Sequence, residues 1–210
     1  MTGQEHWNTV YRTKPHTSVS WYQSTPAPTL SALDRLGAMP EASLIDIGGG
    51  ASLLVDALAA RSWNDLTVLD ISAEALAVAR ARTEASGQPI FWVVADITEW
   101  QPDRTYDFWH DRAVFHFLTD PKARAGYRRA LLTALAPGGI AVVATFAPDG
   151  PEKCSGLPVR RYDAAGIAGE LGAELRLVDS WREIHRTPSG TDQAFTWAVL
   201  RRNSTISDKQ

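Results

Sequence analysis

The sequence predicts an α/β protein built on a largely parallel sheet of seven strands. Short apolar runs alternate with helical stretches from residue 30 onward, which is the pattern of repeated strand–helix–strand units. The turn-forming segment 187–191, rather than a helix, separates the last two strands, so these are expected to pair as an antiparallel hairpin at one sheet edge. The predicted strands are 43–47, 66–70, 90–95, 106–110, 139–146, 174–181 and 193–200.

Capping residues set the predicted helix boundaries between these strands. Ser72 is placed to cap a helix over 73–86, and Asp163 one over 164–171, because short polar side chains accept hydrogen bonds from the first-turn N–H groups. Asp120 precedes a proline, the residue favoured at the first helical position. We expect residues 1–202 to form a single domain, with a flexible polar tail over 203–210.

Composition restricts the classes of function. The 210 residues are 44% hydrophobic with a net charge of −3, which suits one packed core and disfavours a nucleic-acid partner, since that would require a basic surface. The single cysteine, Cys154, cannot form an internal disulfide and fits a reducing compartment. The longest apolar run, 140–147, is too short to span a membrane. A cytoplasmic protein without a membrane partner is therefore expected, and its oligomeric state stays open.

The segment 44–52 is an apolar strand that runs through Gly48, Gly49 and Gly50 into a helix-forming stretch. Such a turn exposes bare backbone and unpaired helix N–H groups to a ligand. Asp46 beside the turn disfavours a pyrophosphate, which a helix N-terminus would otherwise attract. The turn therefore favours a ligand with positive charge, and S-adenosylmethionine, with its ammonium and sulfonium groups, has that property.

Acids end three successive predicted strands, at Asp46, Asp70 and Asp96. Ligands of open α/β sheets bind beyond the carboxyl ends of the strands, so these acids are expected at one site. Asp70 can accept hydrogen bonds from both hydroxyls of a ribose, and Asp96 from an adenine amino group, with Ile71 and Ile97 on either side of the ring. A nicotinamide dinucleotide also requires an acid near Asp70, but it does not require the other two.

Residues 31–202 resemble the class I S-adenosylmethionine-dependent methyltransferases, whose first motif, acid-x-Gly-x-Gly, is matched by Asp46 to Gly50. The resemblance implies a Rossmann-like methyltransferase sheet that is mostly parallel with an antiparallel terminal hairpin. It also implies S-adenosylmethionine as the cofactor. The predicted cofactor contacts are Trp21, Asp46, Gly48, Gly49, Gly50, Asp70, Ile71, Asp96, Ile97, Asp111 and Arg112.

The fourth strand is expected to end where the methyl group is transferred. Asp111-Arg112-Ala-Val resembles the Asp-Lys-Gly-Thr segment of a subgroup of protein-lysine methyltransferases, with Arg and Ala replacing Lys and Gly. A general base is required only if the acceptor arrives protonated. His116 is the first candidate base and Asp111 the second, although His116 fits equally well as a packing residue. His110 and His116 are six residues apart, which is a poor metal-ligand spacing, so no metal is predicted.

Residues 1–30 are interpreted as an aromatic lid. Trp7, Tyr11 and Trp21 lie in a polar, proline-containing segment, and aromatic rings near a sulfonium gain cation–π attraction. The pattern Trp-x₃-Tyr followed by Trp-Tyr resembles the entry segment of thiopurine-methyltransferase-like enzymes. The alternative is that an N-terminal helix simply packs on the sheet.

The long loop over 147–162 is expected to overhang the acceptor pocket, since loops of this length in compact domains are usually functional. It carries Cys154, a candidate nucleophile or metalloid ligand, although a lone cysteine without an identified base is more often inert. It also carries Arg160 and Arg161, which can hold an acidic substrate.

Together these features predict an S-adenosylmethionine-dependent methyltransferase acting on a nitrogen, oxygen or sulfur atom. A small-molecule acceptor is favoured because the lid would enclose the pocket. The alternatives are a protein-lysine substrate, a non-catalytic sensor that binds the cofactor or its demethylated product, and a nicotinamide oxidoreductase.

Overall fold

A computed structural model describes residues 3–84 and 87–204 of the chain. The strands are β1 (Leu44–Ile47), β2 (Leu66–Asp70), β3 (Ile90–Val94), β4 (Tyr106–Arg112), β5 (Leu135–Phe146), β6 (Lys153–Cys154), β7 (Leu157–Pro158), β8 (Leu175–Arg186) and β9 (Asp192–Arg202). Seven of them form one sheet in the order β3-β2-β1-β4-β5-β9-β8, while β6 and β7 form a separate two-stranded hairpin.

The strand directions confirm the predicted topology. β3, β2, β1, β4 and β5 are parallel to one another, and β9 pairs antiparallel with both β5 and β8. All seven predicted strands are present, but several are longer. β4 was predicted to end at residue 110 but continues to Arg112. β5 was predicted to begin at residue 139 but begins at Leu135, because Leu135 already pairs with Tyr106 of β4. β8 extends to Arg186, where its alternating charged and apolar side chains pair along β9.

The helices are α1 (Gly3–Thr13), α2 (Ala27–Arg35), α3 (Leu54–Ala60), α4 (Ala73–Thr83), α5 (Pro121–Ala134) and α6 (Ala164–Leu171). The three predicted caps are observed: Ser72 accepts a hydrogen bond from the N–H of Ala75, Asp120 from Lys122 and Asp163 from Gly166. The helix predicted over 73–86 ends at Thr83, and residues 85–86 lie outside the described residues, as does most of the predicted tail, 205–210. Within the described ranges, none of the helices has the length and apolar character that crossing a membrane would require.

The sheet separates two apolar layers. Phe108 of β4 packs with Leu33, Leu58 and Leu76 from α2, α3 and α4 on one face. Its neighbour Trp109 packs on the other face, with α5 and α6. Alternate residues of a strand point to opposite faces, so β4 contributes to both layers. This alternation also determines which β4 side chains reach the site described below.

Replacing Gly126 tests how closely α5 packs against the loop after β3. A Cβ at this position would overlap the backbone carbonyl of Thr98. Because backbone cannot move aside cheaply, Gly126→Ala is expected to destabilise the fold by about 1–3 kcal/mol, measured by urea unfolding. In Gly169→Ala on α6, no described atom lies within 4 Å of the new Cβ. This control is expected to be neutral or stabilising by about 0.5–1 kcal/mol. Equal effects in the two variants would contradict the described packing.

Candidate functional site

A cavity of about 350 Å³ lies between α1 and the carboxyl ends of the parallel strands. This is the edge of an open α/β sheet where ligands bind, and the volume is in the range of small-molecule sites. Six of the predicted contacts lie on its wall, in addition to Trp21: Gly48, Asp70, Ile71, Asp96, Ile97 and Arg112.

Asp70 ends β2 as a buried carboxylate on the cavity wall. Its Oδ1 accepts a hydrogen bond from the N–H of Ser72 at 2.7 Å, which fixes the orientation of the carboxyl group. Burial raises the pKa of Asp70 to about 7, and the charge of nearby Asp46 contributes to the same direction. A carboxylate held in this way is a strong acceptor for ligand hydroxyls.

Asp96 follows β3 on the same wall. Its Oδ1 accepts hydrogen bonds from the N–H of Thr98 at 2.9 Å and from its hydroxyl at 2.7 Å. Unlike Asp70, Asp96 is exposed, so it stands at the open side of the cavity. Ile71 and Ile97 line the wall next to the two acids and supply apolar surface there.

The glycine turn is tightly packed beneath the cavity. Gly48 has a φ of +65°, and a Cβ on it would overlap the side chain of Val114. A Cβ on Gly49 would lie 2.5 Å from Oδ2 of Asp46, and one on Gly50 2.7 Å from Oδ2 of Asp70. Gly48 and Gly49 line a smaller neighbouring cavity of about 60 Å³. Gly50 lines neither cavity and instead brings the turn against Asp70.

Asp46 does not line either cavity, although it was predicted as a direct cofactor contact. It is buried, and its Oδ1 lies 2.6 Å from Nδ1 of His110, whose Nε2 is 2.9 Å from the hydroxyl of Thr29. His110 and Thr29 both line the smaller cavity. Asp46 therefore reaches that cavity through His110. Sequence reasoning missed this series of hydrogen bonds, because Asp46 and His110 meet only when β1 and β4 are neighbouring strands.

Asp111 and Arg112 were both predicted at the cofactor site. The structure places both residues within β4, and consecutive residues of a strand point to opposite faces of the sheet. Asp111 is fully buried and accepts hydrogen bonds from the hydroxyl of Tyr127 at 2.7 Å and from two backbone N–H groups, of Val114 and Phe115. Burial raises its pKa to about 6. It does not line the cavity, so the geometry does not support Asp111 as a cofactor contact or base.

Arg112 points the other way and lines both cavities. Its Nη1 donates to the backbone carbonyl of Trp21 at 3.0 Å, and the guanidinium lies 4.6 Å from the ring centroid of Phe195. Its Nε and Nη2 are buried and have no hydrogen-bond partner within residues 3–84 and 87–204.

His116, the first predicted base, lies in a short 3₁₀ turn at Phe115–Phe117 and is fully buried. Its Nδ1 is 3.4 Å from the N–H of Phe146, and its ring contacts Phe117 and Phe146. Burial lowers its pKa to about 3, and the positive charge of Arg112 acts in the same direction. Since His116 does not line the cavity, its surroundings favour the packing interpretation.

The predicted lid segment lies over the strand ends. Trp7, Tyr11 and Trp21 line the cavity, and Trp7 makes edge-to-face contacts with Trp21 and with Phe117. α1 packs against α4, where Asn8 accepts a hydrogen bond from the Ser72 hydroxyl at 2.7 Å. α1 thus combines both interpretations of this segment, since it is a packed helix and also a wall of the cavity.

The loop over 147–162 contributes Cys154 and Leu157 to the wall. Burial raises the pKa of the Cys154 thiol to about 12, so it is a neutral, buried group. Arg160 and Arg161 do not line the cavity and pair with Glu170 and Glu152. Within the described ranges, no three His, Cys, Asp or Glu side chains come together as a metal site would require.

Comparisons with known proteins agree with this arrangement. Residues 44–139 match a family model described as a methyltransferase domain. The search of curated proteins finds no match.

Three solved structures illustrate the likeness of the fold. One comes from work on the conversion of a disulfide bond into a thioacetal group during echinomycin biosynthesis. It is 22% identical to this chain, with a TM-score of 0.78 over 97% of this chain and 94% of the other. An S-adenosylmethionine-dependent methyltransferase from Anabaena variabilis is 16% identical, with a TM-score of 0.74 over 95% and 93%. The 1,6-didemethyltoxoflavin N1-methyltransferase from Burkholderia thailandensis is 17% identical, with a TM-score of 0.68 over 96% and 84%.

Replacing Asp111 tests its structural role. Asp111→Ala leaves the Tyr127 hydroxyl and two backbone N–H groups without their acceptor. A loss of roughly 1–3 kcal/mol of folding free energy is expected for such buried unpaired groups. Asp120→Ala, which removes an exposed helix cap, is expected to cost about 1 kcal/mol. Chemical denaturation measures both, and a smaller effect at Asp111 than at Asp120 would contradict the described network.

Proposed function

We propose that this chain is a class I S-adenosylmethionine-dependent methyltransferase and that it methylates a small molecule enclosed in the cavity beneath α1. The observation that carries the proposal is the cavity itself, whose wall combines the carboxylates of Asp70 and Asp96 with aromatic side chains and the guanidinium of Arg112. A solved structure of similar fold is the 1,6-didemethyltoxoflavin N1-methyltransferase with 1,6-didemethyltoxoflavin and S-adenosylhomocysteine bound. Another is the N-methyltransferase NodS in complex with S-adenosylhomocysteine.

We place the nucleoside of the cofactor along the wall formed by the ends of β2 and β3. Asp70 accepts hydrogen bonds from the ribose hydroxyls, and Asp96 from the adenine amino group. Ile71 and Ile97 contact the ring, since they supply the apolar surface beside the two acids. In this arrangement the hydrogen-bond donors of the nucleoside, which are the ribose hydroxyls and the adenine amino group, each meet a charged acceptor.

The amino-acid end of the cofactor is assigned to the glycine turn and the smaller cavity. Gly48 and Gly49 bring backbone to that cavity, and His110 and Thr29 bring polar side chains. Asp46 acts indirectly here, because its carboxylate holds the ring of His110 at 2.6 Å. It is therefore proposed as a positioning residue and not as a cofactor contact.

The chain's own contribution to methyl transfer is alignment and the exclusion of water. S-Adenosylmethionine supplies the electrophilic methyl group. Trp7, Trp21 and Phe117 present an aromatic wall, which excludes water and attracts positive charge. Alignment of reacting groups alone can lower a barrier by roughly 7–11 kcal/mol. Since neither His116 nor Asp111 lines the cavity, no base from this pair is assigned to the reaction.

Asp70→Asn tests the assignment of the ribose. Loss of a charge-assisted hydrogen bond is expected to weaken S-adenosylhomocysteine binding by at least about tenfold, measured by isothermal titration calorimetry. Asp34→Asn, at an exposed surface ion pair with Arg61, serves as the control and is expected to bind normally. Unchanged affinity in Asp70→Asn would refute the ribose role. An absence of S-adenosylhomocysteine binding in the unaltered protein would refute the proposed function.

Cofactor affinity is also expected to depend on pH through Asp70. Burial raises the pKa of its carboxyl group to about 7, so the group becomes protonated below that pH. The ionised form is the better acceptor for ribose hydroxyls, so binding couples to loss of a proton. Between about pH 7 and 5.5, affinity for S-adenosylhomocysteine is expected to fall by up to about tenfold per pH unit.

The same titration on Asp70→Asn provides the control, because an amide does not ionise in this range. Its affinity is expected to stay nearly constant with pH. A pH dependence that is equal in both proteins would assign the effect to another group. No pH dependence in the unaltered protein would show that Asp70 is already ionised when the ligand binds.

A further inference from the structure

Arg112 is a partly buried cation whose Nε and Nη2 are buried and whose hydrogen-bonding capacity is only partly used. Nη1 donates to the carbonyl of Trp21, whereas Nε and Nη2 have no partner within the described ranges of the chain. Burial lowers the pKa of the guanidinium, which reflects the cost of keeping this charge away from water. Buried charges are usually paired, so an unused pair of donors on a cavity wall indicates a site for an anion.

Arg112 lines both cavities, including the smaller one assigned to the amino-acid end of the cofactor, and its guanidinium lies on the side of β4 that faces β5 and β9. It begins on β4 and reaches the ring of Phe195 on β9, with β5 between these strands. The glycine turn follows β1, on the opposite side of β4. Arg112 is therefore directed towards the region left for the acceptor, although the sequence predicted it as a cofactor contact.

The groups around Arg112 leave its Nε and Nη2 without an acceptor within the described ranges. The charge of Glu183 favours the protonated guanidinium, but Glu183 does not accept a hydrogen bond from these two atoms. Both carboxylate oxygens of Glu183 already accept hydrogen bonds, from Gln23 at 3.1 Å and from the indole of Trp197 at 2.7 Å. Cys154 is a neutral thiol, as burial raises its pKa to about 12. The two acids on the cavity wall, Asp70 and Asp96, stand at the end assigned to the nucleoside.

We infer that the methyl acceptor is a small apolar molecule with one anionic group, a carboxylate or an ionised phenol or thiol, which accepts hydrogen bonds from Nε and Nη2 of Arg112. Trp7, Trp21, Phe117 and Leu157 form the apolar surface that would surround its body. The planar guanidinium suits this task because its adjacent N–H groups can bind two lone pairs at once. The inference rests on the proposed function, since it assumes that the cavity is the site of methyl transfer.

An anionic acceptor would require no general base from the protein. Where the anionic oxygen or sulfur is itself the nucleophile, it forms the new bond to the methyl carbon. The bond from that carbon to the sulfonium sulfur breaks, and its electron pair stays on the sulfur. No proton has to be removed, and the methylated product is neutral. The product therefore loses its ion pair with Arg112, which favours release.

The test compares matched probes that differ only in charge. Benzoate and 2-naphthoate, with benzamide and 2-naphthamide as uncharged counterparts, are titrated into protein saturated with S-adenosylhomocysteine. At least one carboxylate is expected to bind about tenfold or more tightly than its amide, as the loss of a charge-assisted pair implies. Equal affinities, or no binding of either carboxylate, would overturn the inference.

Two variants assign the effect to Arg112. Arg112→Met is expected to lose the preference for the carboxylate while its affinity for S-adenosylhomocysteine stays within about twofold, a change too small for a lost charged contact. Arg160→Met, which removes an exposed arginine paired with Glu170, is expected to keep the preference. If Arg112→Met instead weakens S-adenosylhomocysteine and leaves carboxylate binding intact, the guanidinium binds the cofactor and the inference is wrong. If that variant does not fold, the comparison of probes on the unaltered protein decides.

Failure of this inference can be told apart from failure of the proposed function. Absence of S-adenosylhomocysteine binding in the unaltered protein contradicts the function. Normal S-adenosylhomocysteine binding, together with carboxylates and amides that bind alike, contradicts only the anionic acceptor.

Discussion

The parallel pairing of β1 with β2 on one side and β4 on the other is the constraint on which the site depends. It sets Asp46 opposite His110 and brings the ends of these strands to one edge of the sheet. The glycine turn after β1 then fits under Val114, where a side chain on Gly48 would not. Without this register, the buried carboxylate of Asp70 and the guanidinium of Arg112 would not share a cavity.

Features set by local signals could be predicted from the sequence. Ser72, Asp120 and Asp163 cap their helices, and the strand–glycine–helix segment lies at the cavity, because each depends on residues a few positions apart. Asp46 and His116 were harder to interpret. Their partners, His110 and Phe146, lie 64 and 30 residues away in the chain and become neighbours only in the folded sheet.

The pair Asp111 and Arg112 shows how a small error in a strand boundary changes a site. With β4 predicted to end at residue 110, both residues belonged to a loop, and both were free to face a ligand. The strand in fact continues to Arg112, so the two side chains alternate. Asp111 therefore anchors the turn after β4 to Tyr127 beneath the sheet, and Arg112 alone reaches the cavity. The same alternation adds the cationic group of Arg112 to a cavity wall that also carries the acids Asp70 and Asp96.

A crystal structure with S-adenosylhomocysteine bound tests the central claim most directly. The account predicts the ribose hydroxyls on the Asp70 carboxylate, the adenine between Ile71 and Ile97, and the homocysteine end at the glycine turn. It also predicts open space between the sulfur atom and the guanidinium of Arg112. A nucleoside bound elsewhere, or a homocysteine carboxylate paired with Arg112, would contradict it.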